Sequence, residues 1–232
     1  MINITFILVE PAVPENIGAA ARAIKTMGFD QLRLVNPCQF HDGKARWVAH
    51  ASTEILDRAR VYTSLAEAVQ DLDFVIGTSA RAKSAKADHH PAESIQDLLQ
   101  AKVQSLTNVG IVFGREESGL SNEELRLCDI STYIQMQTTH PSLNLAQAVM
   151  LYAYLLSEKT IAERPVNSLS PSEPKFAALK NQVSELLKNT KIAGNPNIYH
   201  RIFERLALLE DNDVNLVLSV IAALEEKYRS CG

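Results

Sequence analysis

Hydrophobic residues in the first 160 positions form short strand-like runs that alternate with segments of helical spacing. Runs of aliphatic and β-branched residues predict buried strands at 4–9, 32–35, 74–76, 109–113 and 132–136. Apolar residues that recur every three to four positions predict helices at 17–27, 52–60, 65–70, 91–100, 121–127 and 143–157. Because strands and helices alternate, we expect an α/β fold, a parallel sheet with helices on both faces.

Several polar residues and glycines mark the predicted helix ends. Gly28 is placed to close the first helix as its C′ residue, and Ser121 with Glu124 forms a capping-box pattern. Asn16 is a candidate N-cap for the first helix and Ser142 for the last one in this region.

The character of the chain changes after residue 160. Residues 161–174 contain its densest cluster of proline and serine, which is typical of a linker. Helical spacing resumes beyond it, and the last apolar helix is predicted at 214–228. We therefore expect a domain of residues 1–160, a linker of 161–174 and a helical extension of 175–232. So short an extension builds little core alone, and should pack on the main domain or on a partner subunit.

Composition limits the class of protein. The 232 residues include 46% hydrophobic and 22% charged residues, as in an ordinary globular protein, and the net charge is −4. Binding to nucleic acid would therefore need a local basic patch. The three cysteines have no C-x-x-C pair, which favours reduced thiols in the cytoplasm. The longest apolar run, 146–156, is too short to span a bilayer, so we expect no membrane association.

Several common α/β chemistries are missing from the sequence. It has no G-x-x-x-x-G-K-[ST], no G-x-G-x-x-G after a strand and no G-x-S-x-G, which argues against ordinary kinases, dinucleotide-dependent dehydrogenases and serine hydrolases. The six histidines lack metal-ligand spacing. Asp88, His89 and His90 could form a metal site, but a solvated loop is the favoured interpretation, and we expect no metal.

Polar or glycine-rich segments follow the predicted strands, where open parallel sheets bind ligands. The first segment, 10–22, contains Asn16, Gly18 and Arg22, although a solvated helix arginine is the simpler interpretation. The second, 77–81, reads Gly-Thr-Ser-Ala-Arg and could lie against a flat ligand or be a plain loop.

Two later segments have the same ambiguity. Residues 113–120 place glycines on both sides of Arg115 and Glu116, which suits a rigid binding loop or an internal ion pair. Residues 141–149 open the long helix, and a cap at Ser142 would leave backbone N–H groups available to an acceptor or simply start the helix.

Taken in order, these segments resemble a known family. N-x-G-x-x-x-R at 16–22, F-G-R-E-x-x-G-L at 113–120 and S-L-N-L-A at 142–146 are similar to the motifs of the SPOUT class of RNA ribose 2′-O-methyltransferases. With G-T-S-A-R at 77–81, the likeness is to the TrmJ- and LasT-like branch of the TrmH superfamily. The resemblance covers residues 1–160.

The resemblance implies a C-terminal trefoil knot in the sheet domain, which general topology rules would exclude. It also implies S-adenosyl-L-methionine as cofactor. The matching cofactor-binding positions are Thr78, Ser79, Ala80, Gly114, Ile134, Pro141, Ser142, Leu143 and Asn144.

The same resemblance implies roles in catalysis and RNA binding. Arg22 would stabilise the developing alkoxide, with Asn16 orienting it and Ser142 near the reacting centre. An arginine is a poor general base because its pKa exceeds about 12. The structural loop would be formed by Arg115, Glu116 and Gly119, and the RNA-binding patch by Arg22, Arg81, Lys83 and Lys86.

Some alternatives stay open. His140-Pro141 stands before Ser142 where TrmJ-like proteins have a Tyr-Ser step, which leaves the RNA target, tRNA or rRNA, undecided. A base methyltransferase of the same class is one alternative, and a catalytically silent RNA-binding protein is another.

A homodimer is expected, because the family is dimeric and the predicted helix at 143–157 is apolar almost all round. We expect Tyr152 and Tyr154 at the margin of its interface. Alternatively, the C-terminal helices could cover the second face of this helix within one chain.

Overall fold

The computed structural model describes residues 2–79, 89–102, 105–137, 143–157, 173–188, 190–209 and 211–230. The chain divides into two compact units. The larger one contains the described residues of 2–96 and 108–164, and the smaller one those of 97–107 and 165–232.

A parallel sheet forms the larger unit, which confirms the predicted fold class. Its seven strands among the described residues stand in the order β3-β2-β1-β6-β4-β7-β5. Every pairing is parallel, with Phe6 beside both Leu32 and Ile111, for example. The strands are β1 (Asn3–Val9), β2 (Gln31–Val35), β3 (Arg60–Tyr62), β4 (Phe74–Ser79), β5 (His89–Pro91), β6 (Asn108–Phe113) and β7 (Ile130–Tyr133).

Helices alternate with these strands, and the elements described after β7 are all helices. They are α1 (Pro14–Thr26), α2 (Lys44–Ala49), α3 (Thr53–Arg58), α4 (Leu65–Val69), α5 (Ile95–Ala101), α6 (Asn122–Leu125), α7 (Leu145–Leu156), α8 (Glu173–Lys188), α9 (Pro196–Ala207) and α10 (Asp211–Ser230). Short 3₁₀ turns at His50–Ser52 and Ala92–Ser94 precede α3 and α5.

Both faces of the sheet are covered, because successive side chains of a strand point to opposite sides. On one face, Ile7 and Val9 of β1 share a buried cluster with Leu65 of α4. On the other face, Phe6 stacks on Phe113, and Phe113 meets the Tyr152 ring of α7 edge-on at 5.3 Å. Strand β1 is thus buried on both sides, as its nearly continuous apolar run indicates.

The strand prediction was incomplete at the edges of the sheet. The edge strands β3 and β5 were missed, the third predicted strand continues to Ser79, and the last one lies at 130–133 instead of 132–136. His89 and His90 belong to β5 and not to a loop. A three-residue edge strand is defined by its pairing partner, since it has no hydrophobic pattern of its own.

The glycine and capping-box predictions are confirmed. Gly28 has φ +89° directly after the last turn of α1. Ser121 and Glu124 form both bonds of the capping box.

Two predicted N-caps are wrong. Helix α1 begins at Pro14 with Val13 at the cap, because the fixed φ of proline suits the first helical position; Asn16 lies inside the helix. Helix α7 begins at Leu145 with Asn144 as its cap, since the Asn144 side chain accepts a bond from the Ala146 N–H at 2.9 Å. Ser142 precedes this cap and lies outside the described residues.

The smaller unit contains α8, α9 and α10. Their apolar faces form a buried cluster of Leu179, Val183, Leu187, Leu206, Val214 and Ile221. The predicted linker lies mostly outside the described residues, and α8 already begins at Glu173. In the parts of the chain that the structure describes, no helix is both long and apolar enough to cross a membrane.

Candidate active site

A cavity of about 430 Å³ lies at the carboxyl ends of the central strands. Its lining includes residues of all three loops that the sequence assigned to a cofactor, namely Thr78, Ser79, Gly114, Ile134 and Leu143. Asn144 follows directly at the start of α7. The other predicted cofactor residues, Ala80, Pro141 and Ser142, lie outside the described residues.

The loop after β6 is tightly folded around its two glycines. The backbones of Arg115 and Gly119 bond to each other in both directions, at 2.9 and 3.3 Å, and Gly119 has φ +67°. A Cβ at Gly114 would overlap the backbone of Gly119 and Leu120. Glycine is therefore required at both positions for the loop to close in this way.

Arg115 braces this loop with two ion pairs. Its Nε donates to Glu10 at 2.8 Å, and its two terminal nitrogens donate to the carboxylate of Glu124 at 3.0 and 3.1 Å. Hydrogen bonds to Glu10 and then to Glu124 raise the pKa of Arg115 above its ordinary value. Arg115 therefore forms its ion pairs with Glu10 and Glu124, and not with Glu116 as the sequence alternative had it.

Glu116 binds the amino end of α1 instead. Its carboxylate accepts bonds from the backbone N–H groups of Ala12 and Val13, at 3.1 and 3.3 Å, and from the Asn16 amide at 2.9 Å. Partial burial raises the pKa of Glu116, but the bond from Asn16 and those from the backbone outweigh it and leave the pKa below its ordinary value. The amino end of a helix also favours a negative charge.

Asn16 links this contact to α7. Asn16 is buried at 8% exposure, and its oxygen accepts a bond of 2.7 Å from the side-chain amide of Asn144. Glu116, Asn16 and Asn144 therefore form one hydrogen-bonded chain, although they come from three separate motifs. Neither bond of Asn16 reaches Arg22, so these contacts position the motifs and do not hold the arginine.

Arg22 lies exposed on α1. It shares a helix face with Gly18 and Lys25, and no hydrogen bond or ion pair among the described residues holds its guanidinium. Lys25 is by contrast bonded to the Ala51 carbonyl oxygen and paired with Glu54. Arg22 is therefore available to bind an anion.

The sequence interpretation missed the role of Tyr152. This side chain is 1% exposed and lines the cavity, so its predicted place at the margin of a subunit interface is wrong. Its hydroxyl lies 2.8 Å from that of Thr132, which donates to the Gly77 carbonyl oxygen at 3.2 Å. Burial raises the pKa of Tyr152. Helical spacing from Leu145 and Val149, which are also buried, was the available signal.

Two other predictions fall partly outside the structure. Arg81, Lys83 and Lys86 of the proposed basic patch lie outside the described residues, as does Asp88 of the alternative metal site. Among the residues that are described, no three histidine, cysteine or acidic side chains are close enough to hold a metal ion.

Comparison with known proteins identifies the class that this fold and site define. Residues 3–154 match the SpoU rRNA Methylase family, and residues 173–228 match the C-terminal domain of the tRNA/rRNA methyltransferase LasT. The chain belongs to the SpoU rRNA methylase family. The resemblance drawn from the sequence motifs is confirmed, and the trefoil knot stays a prediction.

Individual relatives extend the likeness to almost the whole chain. The uncharacterized tRNA/rRNA methyltransferase LasT of Escherichia coli is 39% identical, over 97% of this chain and 98% of the relative. The tRNA (cytidine-2′-O-)-methyltransferase TrmJ of Methanocaldococcus jannaschii is 34% identical, over 89% and 91%. The structure of a probable methylase family protein from Haemophilus influenzae has a TM-score of 0.69 and 31% identity, covering 100% of this chain and 99% of that one.

Proposed function

We propose that this protein transfers a methyl group from S-adenosyl-L-methionine to a ribose 2′-hydroxyl of tRNA or rRNA. The family and the named activity of the TrmJ relative support the reaction type. The observation that carries the proposal is that three motifs distant in sequence meet beside one cavity. Hydrogen bonds join Glu116 to Asn16 and Asn16 to Asn144.

The cavity fits a nucleoside-type cofactor. Its volume of about 430 Å³ is within the range of small-molecule sites. Phe113, Leu143 and Tyr152 supply apolar lining, while Thr78 and Ser79 supply hydroxyl groups. The absence of a side chain at Gly114 lets the loop close on Gly119 and Leu120, and both glycines line the cavity. Bound there, S-adenosyl-L-methionine would supply an electrophilic methyl group on its sulfonium.

The chain's own residues would place and activate the acceptor. A ribose hydroxyl that attacks the methyl carbon would pass its proton to solvent water, and the Arg22 guanidinium would stabilise the negative charge that develops on the oxygen. Arg22 holds its own proton too firmly to act as the base. Glu116, Asn16 and Asn144 would keep α1, which carries Arg22, aligned with the cavity, so that the attacking oxygen is held in line.

The proposal also assigns roles to residues outside the described part of the chain, the domain boundaries and the cellular compartment. Ser142 lies two residues before the α7 cap and would approach the reacting centre. Arg81, Lys83 and Lys86 would contact RNA phosphates. We assign the methyltransferase domain to residues 1–160, the linker to 161–174 and the extension to 175–232. The enzyme would act in the cytoplasm without a metal ion.

The proposed working unit is a homodimer that associates through α7. One face of this helix is buried against its own unit, at Leu145, Ala146, Val149, Tyr152, Ala153 and Leu156. On another side, Leu151 is 39% exposed and Tyr154 is 58% exposed. Exposed apolar surface of this kind favours a protein partner.

Nucleoside mass spectrometry tests the reaction. RNA from cells that lack the gene should miss one 2′-O-methylated nucleoside, and the purified protein with S-adenosyl-L-methionine should restore it. The Arg22→Ala variant, supplied in the same way, serves as the inactive control. A missing base-methylated nucleoside would support the base methyltransferase instead, and unchanged modification with no methyl transfer in vitro would support a silent RNA-binding protein.

A further inference from the structure

Strands β4 and β6 run side by side and then separate at the cavity. Their last registered pair is Gly77 with Val112. Beyond it β4 continues beside β7, where Thr78 pairs with Thr132, whereas β6 stays beside β1. Thr78 and Phe113, the next residue of each strand, both line the cavity. Crevices at the carboxyl ends of parallel strands are where such sheets bind ligands.

Tyr152 of α7 is joined to both strands where they separate. Its ring meets that of Phe113 edge-on, with the ring centroids 5.3 Å apart. Its hydroxyl oxygen lies 2.8 Å from the Thr132 Oγ1, which donates to the Gly77 carbonyl oxygen at 3.2 Å. A single side chain of α7 thus connects the last paired residue of β4 with the residue at which β6 leaves it.

The groups involved fix the direction of these hydrogen bonds. A carbonyl oxygen can only accept, so Thr132 gives its one hydroxyl proton to Gly77 and accepts from Tyr152. Burial raises the pKa of Tyr152, which keeps the phenol protonated at neutral pH. Tyr152 is therefore a donor in a chain of bonds that ends on the backbone of β4, and does not take a proton in the reaction.

The position of Gly77 depends on contacts from other residues, since it has no side chain. A Cβ there would lie 2.9 Å from the Cys128 Sγ, so the site is closed to a larger residue. Thr132 and Tyr152 are both buried, so a bond lost between them would leave a polar group unpaired away from water. Thr78 and Ser79 follow Gly77 directly and line the cavity.

We propose that Tyr152 is a positioning residue for the cofactor, which fixes the spacing of β4 and β6 where the two strands separate. Through Thr132 it would hold the end of β4, and through its ring the end of β6. This inference rests on the cofactor of the proposed function, since it places S-adenosyl-L-methionine between the loops that follow these strands.

The variant Tyr152→Phe removes the hydroxyl and keeps the ring. In calorimetry with the full chain, its affinity for S-adenosylhomocysteine should be about 2- to 12-fold lower, the equivalent of one net hydrogen bond. The KM for S-adenosyl-L-methionine should rise, while kcat at saturating cofactor should stay at the wild-type value, because the hydroxyl does not touch the reacting atoms. Tyr62→Phe, at a half-buried tyrosine of the edge strand β3, should change none of these values.

The variant Thr132→Val tests whether Tyr152 acts through Thr132. Valine keeps the shape of threonine without its hydroxyl, so Gly77 loses its donor, and affinity should fall at least as far as in Tyr152→Phe. The double variant should bind no more weakly than Thr132→Val alone, because the phenol then has nothing left to hold. Losses that multiply in the double variant would show that the Tyr152 hydroxyl acts without Thr132, which would overturn the positioning role.

Thermal unfolding without ligand, measured on the same variants, separates the cofactor site from the fold. A Tyr152→Phe protein with wild-type affinity for S-adenosylhomocysteine would overturn the inference, whether or not its Tm is lowered, because the hydroxyl would then at most support the fold. If the wild-type protein does not bind S-adenosylhomocysteine, the proposed function and this inference fail together. If it binds the ligand but transfers no methyl group to RNA, the proposed function fails alone.

Discussion

Arg22 and Lys25 are neighbours on α1, but only Lys25 is used to hold the fold together. Arg22, whose guanidinium no other described residue binds, is the residue on which the proposed chemistry depends. Replacing it by alanine should lower the rate of methyl transfer by about 10²–10³-fold, as for the loss of one group that stabilises a developing oxyanion. The affinity for S-adenosylhomocysteine should stay the same. Single-turnover kinetics and calorimetry measure the two effects.

Two variants control for charge and for surface exposure. Arg22→Lys keeps the charge but not the planar fork, and should have intermediate activity. Arg126→Ala removes another exposed arginine and should be fully active. An Arg22→Ala enzyme with the wild-type rate would show that Arg22 has no part in the chemistry.

Glu116 should be structural and sensitive to acid. Its pKa is lowered in the folded state, so its contribution to stability is present at neutral pH and is lost as the pH falls below about 4.3, the usual value for glutamate. Glu116→Gln should cost about 1–3 kcal/mol at pH 7, because an amide N–H₂ then faces the donors of Ala12, Val13 and Asn16. Urea unfolding from pH 3 to 7 measures both effects.

The exposed neighbour Glu117 provides the matched control. Glu117→Gln should leave the unfolding free energy and its acid dependence as in the wild type. If the Glu116→Gln variant loses no stability at pH 7, the hydrogen-bonded chain that joins the motifs does not stabilise the fold.

At the scale of elements, Asn144 has two separable functions. Its side-chain oxygen caps α7, while its amide nitrogen donates to Asn16 of α1. Asn144→Ser should keep the cap, because serine is an equally good N-cap residue, but should lose the bond to Asn16. We expect a change in stability of less than about 1 kcal/mol together with a clear loss of activity.

Asn144→Ala removes both functions and provides the comparison. It should lose a further ~1 kcal/mol of stability because the cap is lost as well. Thermal unfolding and methyl transfer are measured on the same preparations. Wild-type activity in Asn144→Ser would mean that the link between α1 and α7 is not needed for the reaction.

The sequence identified the elements that carry their own pattern. Residues 4–9 and 109–113 are almost entirely apolar, as strands buried on both faces should be, and both are strands in the structure. The edge strands β3 and β5 were missed because Arg60-Val61-Tyr62 and His89-His90-Pro91 have no alternation of hydrophobic and polar residues. These residues form strands because they pair with β2 and β7, and a local sequence pattern contains no information about such pairing.

The site was partly predictable for the same reason. Motif order showed which segments belong together, and Thr78, Gly114 and Ile134 do line one cavity. The partners of individual side chains were not predictable, since the Asn16–Glu116 and Asn16–Asn144 bonds join residues 100 and 128 positions apart. Asn16 resembles an N-cap in sequence but is a buried link in three dimensions.

At the scale of the whole molecule, the apolar character of α7 is only partly explained by the chain's own packing. Tyr152, Val149 and Leu156 are buried, whereas Leu151 and Tyr154 are exposed. Gln147, Leu151 and Tyr154 follow one another at helical spacing, so they form one exposed stripe. A second subunit would bury this stripe of α7, the same helix whose Tyr152 lines the cavity.

Light scattering on two leucine-to-glutamate variants, one in α7 and one in α10, tests the dimer. Leu151→Glu would place a carboxylate in the interface and should weaken association by at least about 30-fold, the ~2 kcal/mol typical of a hot-spot residue. Methyl-transfer activity should fall with the dimer fraction if the active site needs both subunits. Leu216→Glu, at an even more exposed leucine of α10 with 66% exposure, should stay dimeric and active. A wild-type protein that is monomeric at micromolar concentration and still active would exclude the dimer as the working unit.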